Sequence, residues 1–224
     1  MTKNLKDIYV GVRKNDPNRN QADFYPTPPL ATFILKKYVD VPREIVEPCA
    51  GRGNISIELL RHNHIVHSYD LHKYDNSLCH IETNQDFLDL KPPSSENVGL
   101  ITNPPYHKDL PRKIAEKSLN EYNFTALFLR LTFLEGKKRN KLFTENPPSD
   151  IIFLSDRIRF GTNYIEPIEM KDQIGGMIAY MWIVWDKRKP QKNTKMHWAL
   201  LENNYDEWRK NYDNWLITPE RIEG

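Results

Sequence analysis

The chain has 224 residues, 39% of them hydrophobic and 28% charged, with a formal net charge of +2. These values predict one soluble globular domain with a sizeable core and little room for a second domain. No apolar run approaches the roughly 20 residues of a membrane span, and the polar N-terminus lacks a signal-peptide core. Cys49 and Cys79 match neither a disulfide framework nor a metal-ligand spacing, so we expect a cytoplasmic protein without a metal.

Short apolar strands alternate with helical patterns after a polar lead-in, residues 1–22, that we expect to be flexible. In chain order we predict a strand at 44–48, a helix at 54–63 capped by Asn54, strands at 64–71 and 98–103, a helix at 111–122 and a strand at 124–134. This alternation predicts an α/β fold with an open, mainly parallel, doubly wound sheet.

The pattern changes towards the C-terminus. Residues 149–160 and 175–187 are strand-like runs with no convincing helix between them. We therefore expect them to pair antiparallel, as a hairpin at one end of the sheet. The domain then covers residues 23–187 and leaves an extension, 188–224, that is rich in Trp and Tyr. Their spacing predicts a helix packed on the domain, with a base-stacking role as the alternative.

Two strand ends suggest a ligand site, because open parallel sheets bind ligands at the carboxyl ends of their strands. The first predicted strand runs into EPCAGRGN (47–54), whose two glycines let the backbone turn sharply and approach a ligand. Glycines also serve purely structural turns, so this signal alone is weak. The next strand ends in Asp70, about twenty residues further on, where a carboxylate can bind ribose hydroxyls. The third glycine of the dinucleotide fingerprint is missing, which favours a nucleoside ligand without a pyrophosphate.

A third strand ends in LITNPPYHK (100–108). Neither a helix nor a central strand accommodates two consecutive prolines, so the strand must stop at Asn103. An aromatic ring, Tyr106, stands just beyond the prolines.

Four motifs occur in the order of a known family: DFYPTPP (23–29), EPCAGRGN (47–54), NQDFL (84–88) and NPPY (103–106). In these motifs the chain resembles the S-adenosylmethionine-dependent amino-methyltransferases, most closely the small DNA adenine-N6 methyltransferases of bacterial and phage type. Glu47 and Cys49 stand where many members carry Asp and a bulky apolar residue. NPPY also occurs in protein-glutamine and rRNA-guanine methyltransferases, whereas the YPTPP segment (25–29) favours the DNA enzymes.

The resemblance implies a Rossmann-like class I methyltransferase fold and S-adenosylmethionine as the cofactor. It implies that Asp70 binds the cofactor ribose, and that Asp86 and Phe87 hold its adenine. The remaining cofactor residues that it implies lie in DFYPTPP (23–29), where they close over the methionine part, and in the glycine motif: Tyr25, Thr27, Pro28, Glu47, Cys49, Ala50, Gly51 and Gly53.

The NPPY motif fits transfer of a methyl group to an exocyclic amine. Such an amine is a poor nucleophile until both of its hydrogens are bound by acceptors, here the Asn103 side-chain oxygen and the Pro104 carbonyl. Pro104 and Pro105 withhold competing N–H donors, and Tyr106 offers a face on which a base can stack. The expected partner is DNA with a flipped adenine. Lys108, after the motif, is a further expected substrate-binding residue. The resemblance also implies a second aromatic residue against the other face of the base, for which Phe160 is the candidate, with a core phenylalanine as the alternative.

Three alternatives stay open at the level of the sequence. The same site serves protein-glutamine or RNA-base methylation in other families. A catalytically silent nucleic-acid-binding protein of the same fold is another possibility, although intact Asn103 and Tyr106 count against it. Basic runs around residues 137–141 and 187–195 are either phosphate-facing patches or solvated faces.

Overall fold

The structure is a computed structural model that describes residues 25–95, 97–158, 176–190 and 193–216, with the last four of these by backbone alone. The predicted lead-in (1–22), Phe160 and the connection 161–175 between the last two predicted strands lie outside the described residues.

The described part of the chain forms a seven-stranded sheet in the order β2-β1-β3-β4-β6-β5-β7. The strands are β1 Glu44–Glu47, β2 Ile65–Ser68, β3 Val98–Thr102, β4 Phe124–Arg130, β5 Asp150–Leu154, β6 Tyr180–Asp186 and β7 Lys195–Ala199. Only β6 runs against its neighbours, β4 and β5, and all other pairs in this sheet are parallel. The predicted mainly parallel sheet with an antiparallel pair near one end is confirmed.

Helices cover both faces of the sheet, which confirms the doubly wound architecture. They are α1 Pro29–Tyr38, α2 Asn54–Arg61, α3 Leu110–Glu121, α4 Lys137–Glu145 and α5 Glu202–Leu216, with a short 3₁₀ helix at Leu131–Leu134. Apolar side chains of α1, α2 and α5 share one core cluster, and those of α3 and α4 share the cluster on the opposite face. In the part of the chain that the structure describes, every helix is too short or too polar to cross a bilayer.

The elements differ from the predicted ones mainly at their ends. β2 stops at Ser68, and the chain leaves β4 at Arg130 to enter the 3₁₀ helix. Helix α2 begins at Asn54, so Gly53, rather than Asn54, is its N-cap. The sequence pattern predicts neither α1 nor β7. β7 pairs parallel with β5 outside the antiparallel pair, so that pair does not form the edge of the sheet.

Strand β6 is buried along its whole length and fixes where the N-terminal segment lies. All seven of its residues are buried. The indole N–H of Trp182 donates a 2.8 Å hydrogen bond to the Ala31 carbonyl, which ties α1 to the sheet. Because α1 follows residues 25–28 directly, this bond also positions those residues above the carboxyl end of β3, where Asn103 lies.

Candidate active site and cofactor cavity

A cavity of about 620 Å³ lies at the carboxyl ends of β1, β2 and β3. Its volume is typical of a site for a small organic ligand. The expected site residues that line it are Tyr25, Thr27, Glu47, Cys49, Ala50, Gly51, Asp70, Asp86, Phe87, Asn103, Pro104, Pro105 and Tyr106. Pro28, Gly53 and Lys108 lie outside this lining. Residues from five separate segments of sequence therefore converge on one cavity.

Asp70 is held at the end of β2 by the glycine turn. The Gly51 N–H donates a 2.7 Å hydrogen bond to Oδ2, and the His72 N–H donates one of 2.8 Å to Oδ1. Burial raises the pKa of this carboxyl, and the two hydrogen bonds oppose that shift. Each carboxylate oxygen has a second lone pair, so the oriented Asp70 can also accept bonds from ligand hydroxyls.

Gly53 serves the packing of the loop 71–81. Its φ is +83°, and a Cβ at this position would stand 2.6 Å from the Sγ of Cys79. The same loop is held to the glycine turn by a 2.8 Å hydrogen bond from the Leu78 N–H to the Arg52 carbonyl. The freedom of Gly53 is therefore required where the loop closes on the turn.

Glu47 is a buried carboxyl at the end of β1. It accepts a hydrogen bond from the Ser56 hydroxyl, which lies 2.7 Å from the Ser68 hydroxyl. Burial raises the pKa of Glu47 to about 8, and the nearby charge of Asp70 contributes in the same direction. The carboxyl is accordingly mostly protonated at neutral pH.

Cys49 shares this environment. Burial raises the pKa of its thiol, and the charge of Asp70 adds to the shift. A thiol that resists ionisation is a poor nucleophile, so the side chain fits a packing role beside the cavity.

Residues 85–88 form another part of the cavity lining. Phe87 is buried, and the Oδ1 of Asp86 accepts a 2.9 Å hydrogen bond from the Leu88 N–H, which fixes the carboxylate in its turn. Leu71, His72 and Tyr74 also line the cavity, and no sequence motif indicates them. They occupy an irregular loop, and the only signal for them is their place directly after Asp70.

Asn103 lies at the end of β3 with its side-chain amide held on three sides. Its Nδ2 donates to the Thr27 hydroxyl at 2.9 Å and to the Tyr25 carbonyl at 3.2 Å. Its Oδ1 accepts a 2.6 Å bond from the Tyr106 hydroxyl. A carbonyl oxygen can only accept, so the bond to Tyr25 fixes which end of the amide is nitrogen. Both amide hydrogens are thus engaged, and Oδ1 keeps one lone pair for a substrate donor.

The Tyr106 hydroxyl also lies 3.1 Å from the Phe128 carbonyl of β4. The ring is therefore held across the ends of β3 and β4, next to Asn103. Among the described residues, no group of three or more His, Cys, Asp or Glu side chains is arranged to hold a metal ion.

No protein-family model matches the chain, and no curated protein matches it. Solved structures do resemble it. A Listeria monocytogenes protein assigned to the class I S-adenosylmethionine-dependent methyltransferases matches 94% of this chain and 75% of its own, with a TM-score of 0.55 and 14% identity. The chain has the class I methyltransferase fold. The predicted fold class is confirmed.

A second structure is a Vibrio vulnificus protein assigned as a modification subunit of a type I restriction enzyme. It matches 94% of this chain with a TM-score of 0.54 and 12% identity, and this chain spans 56% of its length. At sequence identities this low, the structural similarity establishes a shared fold alone. The position of the cavity agrees with that fold, because open α/β sheets of this kind bind ligands at the carboxyl ends of their strands.

Proposed function

We propose that the protein transfers a methyl group from S-adenosylmethionine to the N6 amine of adenine in DNA. The observation that supports this most is the state of Asn103, whose amide is rigidly oriented and keeps one acceptor lone pair beside the cavity. An amide held in this way is suited to bind an amine hydrogen at the moment of transfer.

The cavity fits the cofactor. Asp70 would bind the ribose hydroxyls through its remaining lone pairs, and Phe87 would pack on the adenine. The second oxygen of Asp86 would accept from the adenine amine, because only Oδ1 is used by Leu88. Glu47, Tyr25 and Thr27 line the same cavity, and the methionine part would be held among them. When bound, S-adenosylmethionine supplies a methyl group already activated by its sulfonium.

The substrate amine would be bound by two acceptors, the Asn103 Oδ1 and the Pro104 carbonyl. Together they bind both amine hydrogens and make the nitrogen lone pair available. The two prolines provide no N–H that would compete for these acceptors. The base would stack on Tyr106, a contact worth about 1–3 kcal/mol. A base in a duplex cannot reach such a site while paired, so it must be flipped.

The proposal is tested by incubating the purified chain with labelled S-adenosylmethionine and with DNA, RNA or glutamine-containing protein. Nucleoside analysis of the DNA should then find N6-methyladenine, and Asn103→Ala should remove it. If the methyl label is found on glutamine or on an RNA base and not on DNA, the proposal is wrong and the chain is a protein-glutamine or RNA-base methyltransferase. Cofactor binding without transfer to any of these substrates would support the catalytically silent alternative.

A further inference from the structure

Arg130, the last residue of β4, is stacked on Tyr106. Its guanidinium carbon lies 4.4 Å from the centre of the Tyr106 ring. The side chain is half-buried, and its Nε is buried without a hydrogen-bond partner among the described residues. In the same part of the chain, no carboxylate forms an ion pair with it.

Other arginines near this edge of the sheet are already engaged. Arg139 stacks on Phe133 and donates hydrogen bonds to the carbonyls of Thr132 and Glu135, at 3.0 and 2.8 Å. Arg112 forms ion pairs with Asp109 and Glu116. Arg130 differs from both, because it has lost part of its hydration without gaining an anionic partner among the described residues. Such a group is costly in isolation, and an anionic ligand compensates the cost.

The chemistry of the side chain selects the anion. A guanidinium is planar, remains charged at any physiological pH, and matches the oxygens of a phosphate with two parallel hydrogen bonds. Its place beside Tyr106 matters equally. In the proposed function the substrate base stacks on that ring, so a nucleotide would bring its own phosphate to the neighbourhood of Arg130. A glutamine side chain would bring no phosphate there.

We propose that Arg130 binds a phosphate next to the nucleotide whose base enters at Tyr106, and so makes the site selective for nucleic acid. The inference rests on the proposed function for the position of the base. It concerns binding of the substrate backbone, and it assigns Arg130 no part in the methyl transfer itself.

The first test compares the wild-type chain with Arg130→Gln in DNA binding and methylation over a range of salt concentrations. Losing one phosphate contact should reduce the slope of log affinity against log salt by about 1 and raise the KM roughly tenfold. The affinity for S-adenosylmethionine should not change. The matched control is Arg43→Gln, which removes an exposed cation directly before β1, at the end of the strand away from the cavity. It should alter neither the salt slope nor the KM.

A second variant, Arg130→Lys, separates loss of the phosphate contact from loss of the folded state. Thermal unfolding shows whether both variants are folded. Lysine keeps the charge but lacks the planar fork, so the salt slope should stay near that of wild type while the affinity falls.

The second test replaces single phosphates beside the target adenine by uncharged methylphosphonates. At one position the replacement should weaken binding to the wild-type chain and have no further effect on Arg130→Gln. Equal, additive losses in both proteins at every position would overturn the inference. An unchanged salt slope in Arg130→Gln would also overturn the inference. If the wild-type chain methylates DNA in that case, the proposed function still holds. A wild-type chain that methylates glutamine and no nucleic acid would overturn both.

Discussion

The side-chain amide of Asn103 donates a 2.9 Å hydrogen bond to the hydroxyl of Thr27. The two residues are 76 positions apart in sequence. They meet because Thr27 precedes α1, which the bond between Trp182 and the Ala31 carbonyl holds against the sheet. The family resemblance implies a cofactor role for Thr27. The geometry adds a second role, since its hydroxyl orients the amide that would bind the substrate amine.

Thr27→Val should therefore reduce kcat more than cofactor affinity. Losing one neutral hydrogen bond costs about 1 kcal/mol, which corresponds to a decrease of roughly five- to tenfold in kcat. Thr27→Ser should restore the rate, because it keeps the hydroxyl. Thr32→Val is the matched control, since the Thr32 hydroxyl is buried without a partner among the described residues. Steady-state kinetics and calorimetric titration of the cofactor separate the two effects. A weaker cofactor affinity with an unchanged kcat would show that Thr27 acts on the cofactor alone.

Asn103→Ala should nearly abolish methyl transfer and leave DNA binding within a few-fold. The acceptor is used mainly in the transition state, and losing such a group typically costs two to three orders of magnitude in rate. Tyr106→Ala should reduce both binding and rate, because the ring contacts the base in either state. Single-turnover kinetics and DNA-binding titration measure the two quantities. A near-normal rate in Asn103→Ala would contradict the mechanism.

Much of the fold can be predicted from the sequence because the central strands are continuous apolar runs between turn signals. β7, KMHWA, is different: it is an edge strand, and Met196 and Trp198 are more than half exposed. A strand that needs little burial has little hydrophobic pattern, so the sequence hardly distinguishes it from a loop.

Some residues of the site can likewise be predicted from the sequence, whereas their contacts cannot. Motifs indicate Asn103, Asp70 and the glycine turn, since each follows a strand directly. Periodicity cannot predict the partners of Asn103, because the contacts with Thr27 and Tyr25 depend on how α1 packs against β6. The role of Arg130 is hidden for the same reason: in sequence it is one cation at the end of an apolar run, and its neighbour Tyr106 is known only from the sheet order.

Asp70→Ala should weaken cofactor binding at least tenfold and also destabilise the chain. The stability loss is expected because the N–H groups of Gly51 and His72 both donate to this carboxylate. Leaving a buried donor such as the Gly51 N–H unpaired costs about 1–3 kcal/mol. Asp75→Ala, an exposed position in the same loop, should change neither quantity. Calorimetry and urea unfolding provide the measurements, and unchanged cofactor affinity in Asp70→Ala would exclude a ribose-binding role.

Glu47 should make stability decrease as pH rises. Its pKa is about 8 in the folded chain, because of burial, and about 4.5 as a free side chain. The folded state thus holds a proton that the unfolded state releases, so the contribution is complete below pH 4.5 and is lost as pH approaches and passes 8. Glu47→Gln, which imitates the protonated form, should remove a pH dependence on the order of a few kcal/mol. Urea unfolding between pH 5 and 8.5 tests this, with the exposed Glu135→Gln as control. Equal pH slopes in Glu47→Gln and wild type would show that Glu47 titrates normally.

Gly53 and Cys79 provide a test of how the glycine turn is built. Gly53→Ala should destabilise the chain for two reasons: a φ of +83° strains an L-residue by about 1–2 kcal/mol, and the new Cβ would stand 2.6 Å from the Cys79 Sγ. Only the second cost depends on the sulfur. In a Cys79→Ala background, Gly53→Ala should therefore cost less than it does in wild type, and the remaining cost should match the backbone strain. Four urea-unfolding curves complete this double-mutant cycle. If the cost of Gly53→Ala is the same in both backgrounds, the contact with Cys79 does not constrain the turn, and backbone strain alone accounts for the requirement for glycine.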